Sequence, residues 1–461
     1  MLSKLYARWM FAWETALTTR DTNRIVRPVE WGFDWLNGFA ESESLVPAFA
    51  GSAVGAAAGR GNGPSGPAGH PSALLEPALH EPALHEMEQL NQQIVSRSDE
   101  FFGYQTPTDF RLEERHPQLF PTNVRPETLA QDARLKSDAA EGKLKTARFL
   151  RFTSPVRTIY PENDQVNARW YPAPAHKQKG KPKQAIIVMP QWNADAFSHN
   201  ALCEIFNRFG VSALRLSKPF HDIRRPLELE RSDYACSSNV GRTIASCRQA
   251  VVDIRSCIDW LQTQGYEQFG VLGTSLGSCY AFIAAAHDPR IRVCAFNHVS
   301  TWFGDAVWTG QSTRHIREAF EQQGMTQDDL RRMWLGISPM SYMRKFAANP
   351  KKSLVVYAPY DLTFRKEFSL QVLKNFDQQG IDYEARVLPC GHYTTGETPY
   401  KIHRRLVPGL LRLPRLQTTA AGVNRLARRA TLSVVLADAV ALAVAVVLAI
   451  VQPLPLRPEL R

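Results

Sequence analysis

The chain contains no Cys-x-x-Cys pair, and its seven cysteines, at 203, 236, 247, 257, 279, 294 and 390, are odd in number and scattered. That spacing suggests neither a zinc site nor a disulfide framework. Most of these cysteines lie in apolar runs and read as buried thiols of a protein kept in a reducing compartment. Acidic residues are missing from 401 to 430, where eight positions are Lys or Arg. The net charge of +11 is therefore largely a property of one late segment, and no nucleic-acid partner is inferred for the main domain. The N-terminal stretch also lacks a secretory pattern. Its apolar run is short and broken by Arg8 and Glu14, and no small-residue cleavage site follows. A cytoplasmic location is expected.

The chain itself has 461 residues, 44% hydrophobic and 21% charged, enough for a large core with appendages. Residues 1–47 alternate aromatics and charges, with Tyr6, Met10, Trp13 and Leu17 at helical spacing. One or two amphipathic helices are expected there, packed on the main domain or facing a membrane surface or partner. Residues 48–88 read as a flexible linker, rich in Ala, Gly, Pro and Ser and ending in the repeat EPALHEPALHEM. His80 and His85 belong to that repeat and have no clustered ligands beside them. Residues 89–147 are polar, broken by prolines, and expected to be helical or irregular.

From 148 to 412 strand and helix patterns alternate. Apolar or β-rich runs at 149–152, 167–170, 185–189, 211–216, 269–272, 292–296, 353–358 and 383–388 read as strands. Helical periodicity marks 199–208, 244–261, 366–376 and 400–411. Alternation of this kind implies a mostly parallel sheet covered by helices on both faces. Residues 300–345 form a helical, aromatic insertion, with Thr326 and Asp329 spaced as a capping box. Its tryptophans and Phe303 are expected either to line an acyl pocket or to form the insertion's own core.

The stretch FGVLGTSLGSCY, 269–280, organises the rest. A short buried strand runs into Gly273-Thr274-Ser275-Leu276-Gly277, and a small-residue helix follows. This is the G-x-S-x-G pattern in the strand–turn–helix context that exposes a serine hydroxyl at a sheet edge. Asp361 follows the strand at 353–358 by one short turn, and His392 lies between the last strand and the last helix. A serine hydroxyl needs a base in reach to become nucleophilic, and an imidazole serves when a carboxylate orients it.

On these residues the region 148–412 resembles the α/β-hydrolase superfamily, whose triad runs serine, acid, histidine along the chain. The resemblance implies an α/β fold with a helical lid at about 300–345, and catalysis by Ser275, Asp361 and His392. Asp382 and Glu397 are weaker substitutes for the acid. It also implies an oxyanion hole from the backbone N–H of Leu276 and a second donor after Met189. Relatives often begin that loop with His-Gly. Here it begins Pro190-Gln191, and proline has no N–H. Trp192 holds the donor position, with Gln191 as alternative. His221-Asp222 follows a strand and is expected either to contact substrate or to hold a loop. No metal or organic cofactor is called for. The implied reaction is hydrolysis of an ester or thioester, lipid esters among them, with acyl transfer to an alcohol or a silent, membrane-tethered interaction domain as alternatives.

Residues 413–461 form a basic and hydrophobic tail. Within it 432–451 is apolar for 20 residues, interrupted mainly by Ser433 and Asp438. That length spans a bilayer, with Arg425, Arg428 and Arg429 as a cytoplasmic flank. The segment reads as a membrane anchor, a docked or oligomerising helix, or a disordered tail.

Overall fold

The computed structural model describes residues 2–36, 39, 80–122 and 125–397. The expected helix at 400–411 and the apolar stretch 432–451 lie outside the described residues. Among the described residues no helix is long and apolar enough to cross a membrane.

Among the described residues one sheet of nine strands is formed. The strands are β1 (Arg111–Arg115), β2 (Ala147–Thr153), β3 (Gln165–Tyr171), β4 (Gln184–Met189), β5 (Val211–Leu216), β6 (Gln268–Thr274), β7 (Ile291–Asn297), β8 (Lys352–Tyr357) and β9 (Tyr383–Val387), in spatial order β1-β2-β3-β5-β4-β6-β7-β8-β9. The β1–β2, β2–β3 and β3–β5 pairs are antiparallel, and the pairs from β5 through β9 are parallel. Every strand expected from 148 onward is present. The addition is β1, inside a region expected to be helical or irregular. Its sequence RLEER is charged and largely exposed, so no apolar alternation announces it. It is an edge strand, held by pairing with β2 rather than by burial. The helix His80–Ser96 likewise begins within the stretch expected to be linker.

The inner parallel strands, β4 to β8, are buried on both faces because both faces are covered, whereas β9 at the edge is largely exposed. Ile187 and Val271 point to a core shared with helices Val240–Thr263, Leu276–His287 and Lys366–Gln379, while Ile186, Val188, Leu272 and Val356 meet helix Asn200–Arg208 on the other side. The long helix is capped by Asn239, whose side chain accepts from the Arg242 N–H at 2.8 Å.

The N-terminal helix, Leu2–Thr19, packs on the domain through Met10, Glu14 and Leu17 and leaves Leu5, Trp9 and Phe11 exposed. The insertion after β7 is helical, as its pattern predicts. The capping box of Thr326 and Asp329 is formed, and its helix ends at Met333. Phe303, Phe320 and Trp334 meet edge to face in the interior. These three rings belong to the core shared with helix Val240–Thr263, while Trp302 and Trp308 are only half-buried.

Candidate active site

Register aligns the site. Met189 pairs with Gly273, Thr274 with Asn297, Asn297 with Val356, and Tyr357 with Val387. The carboxyl ends of five parallel strands therefore share one edge, and the loops that leave it carry Trp192, Ser275, His298, Asp361 and His392. This is the edge where open α/β sheets hold their ligands.

Ser275 has φ 56° and ψ −122°, a strained backbone for a residue with a side chain, costing on the order of 1–3 kcal/mol. The neighbouring glycines make that turn feasible. A Cβ on Gly273 would lie 2.3 Å from the Gly277 carbonyl oxygen, and one on Gly277 would lie 2.4 Å from the Met189 oxygen. The elbow can close only because neither residue has a side chain. The Ser275 N–H donates to Asn297 O at 2.8 Å, tying the elbow to the end of β7. Leu276 opens the following helix, where backbone N–H groups lack intrahelical partners and favour negative charge.

The loop after β4 is fixed from several sides. Lys218 Nζ donates to Gln191 O at 2.8 Å, and the Trp192 indole N–H donates to Ser232 O at 2.9 Å. The Asn193 N–H donates to His221 Nε2 at 3.1 Å, so Asn193 is already engaged. Since His221 Nδ1 lies 2.7 Å from Pro219 O, the ring carries its proton on Nδ1 and accepts on Nε2. Burial holds it neutral, pushing its pKa well down. Of the two roles expected for His221-Asp222, the structure displays the loop contact: His221 braces the loop, and Asp222 is buried against Arg215 at 2.5 Å.

Asp361 sits in the turn after β8, 5% exposed. Its Oδ1 accepts the Thr363 and Phe364 N–H groups, both at 2.7 Å, and its Oδ2 lies 2.8 Å from His392 Nδ1. Burial pushes this carboxyl up, but the charges of His392 and His298 and the hydrogen bond from His392 outweigh it and hold the group well below the usual range. For His392 burial pushes down, and the charge and hydrogen bond of Asp361, joined by the charge of Glu14, outweigh it and raise the imidazole. The structure thus joins Asp361 to His392. It leaves the two substitute acids elsewhere: Asp382 bonds through its carbonyl to Ser353 N at the opposite end of the sheet, and Glu397 faces Arg20 at 3.8 Å.

Two residues at this edge were not anticipated. His298, at φ 56° just after β7, is buried with Nδ1 2.8 Å from Asp361 Oδ2, but without the alignment of a hydrogen bond. Its ring centroid is 4.6 Å from that of His392, and its carbonyl accepts from Ser278 Oγ at 2.9 Å. Its ring thus lies beside the Asp361–His392 pair, while its backbone ties to the elbow helix. Its position just after a strand was the available signal. Glu14, far away in sequence, gave none.

The donor atoms of His298, Asp361 and His392 lie within 4.8 Å of one another, a set that suits a cation by residue type. Asp361 Oδ1 is committed to two backbone N–H groups, and Oδ2 stands at hydrogen-bond distance from His392. The arrangement is that of an oriented imidazole.

A family model described as alpha/beta hydrolase domain containing 18 matches residues 109–309, somewhat under half of the chain. None of the curated proteins matches the sequence. Among solved structures, the acetyl xylan esterase 1 of Thermoanaerobacterium sp. JW/SL YS485 is similar at 14% identity and a TM-score of 0.45, over 67% of this chain and 93% of that one. The acetyl xylan esterase of Paenibacillus sp. R4 is similar at 12% identity and a TM-score of 0.44, over 67% and 89%. The acylaminoacyl peptidase of Pyrococcus horikoshii is similar at 10% identity and a TM-score of 0.43, over 57% of this chain and only 40% of that one. The match across 109–309 to an alpha/beta hydrolase domain, together with the chain's own sheet order and nucleophile elbow, shows an α/β-hydrolase fold.

Proposed function

We propose that the chain hydrolyses a carboxylic ester or thioester through an acyl-enzyme on Ser275. The observation that carries this reading is the 2.8 Å bond from His392 Nδ1 to a buried Asp361, at the sheet edge where Ser275 stands in a strained elbow. Ser275 Oγ attacks the carbonyl carbon and passes its proton to His392 Nε2. Asp361 holds the ring and stabilises the imidazolium. The oxyanion is received by the Leu276 N–H and by Trp192 N–H in the loop after Met189, each worth on the order of 10²–10³ in turnover in such sites. Collapse expels the alcohol or thiol, which takes the proton from His392. Water then repeats the sequence and releases the acid.

A fluorophosphonate probe and a panel of p-nitrophenyl acyl esters of varied chain length test the reading. Wild type is expected to label and turn over, and Ser275→Ala to lose labelling and about 10⁴–10⁶-fold in kcat. A folded wild type that neither labels nor turns over, or one that labels equally as Ser275→Ala, refutes it.

A further inference from the structure

The loop that presents His392 is held from outside the sheet, by the N-terminal helix. Glu14 lies fully buried on that helix, and its Oε1 and Oε2 accept the N–H groups of Tyr393 and Thr394 at 2.8 and 3.0 Å. Gly391 completes the seat: a Cβ there would lie 2.4 Å from Glu14 Oε2, so only glycine admits the carboxylate. The same N-terminal segment touches this loop again. The Tyr6 hydroxyl donates to Pro389 O, Arg24 Nη2 lies 3.2 Å from the Tyr393 hydroxyl, and Met10 packs on Cys390 and Ala358.

An ionised carboxylate taken from water is costly unless its oxygens are bonded, and two successive backbone N–H groups form a concavity that suits an anion. A methionine or leucine at position 14 would fill the same space without that cost. The buried acid therefore points to a task that an apolar residue could not perform. From this geometry we propose that Glu14 is a positioning residue for His392: it clamps the turn at 391–394 and so fixes the imidazole against Asp361. The proposal rests on the reading of His392 as the base for Ser275.

Four titratable groups face the His392 ring: Asp361 from the turn after β8, His298 from the turn after β7, Glu14 from the N-terminal helix, and the adjacent Tyr393 with its ring centroid 5.8 Å away. Glu14 is faced in turn by His392 and Asp361. Its charge favours the imidazolium, so its removal has a signature in pH as well as in geometry.

The test uses the full chain and an ester substrate, with wild-type labelling at Ser275 as the reference. Glu14→Gln removes the charge and turns a donor toward one of the two N–H groups. It is expected to lower kcat about 10- to 100-fold with KM nearly unchanged, and to move the acid limb of kcat/KM to lower pH. Glu14→Asp keeps the charge on a shorter stem. It is expected to lower kcat while leaving the acid limb nearer its wild-type position, and it serves alone if the glutamine variant does not fold. Folded variants whose kcat and pH profile both match wild type overturn the proposal while the triad stands. A wild type unlabelled at Ser275 overturns both.

Discussion

At the scale of single residues the site depends on what two glycines lack. Gly277 lets the helix N-terminus approach the β4 loop to within contact of the Met189 and Pro190 carbonyls, which a Cβ would meet at 2.4 and 2.6 Å. The two proposed oxyanion donors, at 192 and 276, lie on either side of that contact. Gly277→Ala must push the loop and the helix apart. Its kcat on p-nitrophenyl esters is expected to fall about 10²–10³-fold, the loss of one hole donor. Labelling should slow in parallel, because the serine itself remains. Unchanged kinetics would show that the hole is built elsewhere. The two glycines and the serine were legible as a motif because the elbow is local: five consecutive residues carry its sterics. Glu14 and His298 were not legible. Each acts through a partner more than 60 positions away; His298 is marked only by its place just after a strand, and Glu14 by nothing nearby.

At the scale of elements the insertion after β7 and the N-terminal helix bracket the site. Trp334 is fully buried, ringed edge to face by Phe303 and Phe320, with its indole N–H 3.4 Å from Val240 O. Trp334→Ala removes a large core side chain. It is expected to destabilise by about 3–5 kcal/mol in urea unfolding, with little change in acyl-chain preference. A variant of wild-type stability with altered chain preference would return Trp334 to the pocket. The aromatic content of 300–345 was plain from the sequence, but the same residues suit a core or a pocket. For Phe303, Phe320 and Trp334 the choice is settled by the core shared with the long helix Val240–Thr263. The strand β1 shows the opposite case. Its residues have strand geometry because β2 offers an open edge, not because their own pattern demands it.

At the scale of the molecule, three buried histidines, His221, His287 and His298, and two half-buried ones, His199 and His315, set the response to acid. Burial lowers His221 and His298, takes His287 down to about 4, and takes His199 and His315 down to about 3. Each has a folded pKa below its unfolded value, so the unfolded chain binds more protons as pH falls through about 6.5, the ordinary histidine value. Stability is fully present above that value and is lost toward pH 4, by on the order of 1 kcal/mol per such group per pH unit. His392 is raised and runs the other way, contributing below about 6.5 and less as pH rises through its folded value. Among the histidines, five lowered groups outweigh one raised group. The urea midpoint is expected to fall clearly between pH 7 and pH 5, and a midpoint that rises over that interval would contradict the balance. Activity at the acid side should fall as well, since His392 must be neutral to accept the Ser275 proton.

The amino-acid sequence by itself determined the alternation of strands and helices, the elbow and the chain order of Ser275, Asp361 and His392. These are encoded in runs of fewer than about twenty residues, where periodicity and turn sterics act without distant partners. Only the tertiary structure decided that a helix at the N-terminus closes over the His392 loop, that His298 lies beside Asp361, and that Phe303, Phe320 and Trp334 join the core over helix Val240–Thr263. Those outcomes depend on which surfaces meet once the sheet has formed. Burial and hydrogen bonding between residues hundreds of positions apart are properties of the folded chain and of no segment alone.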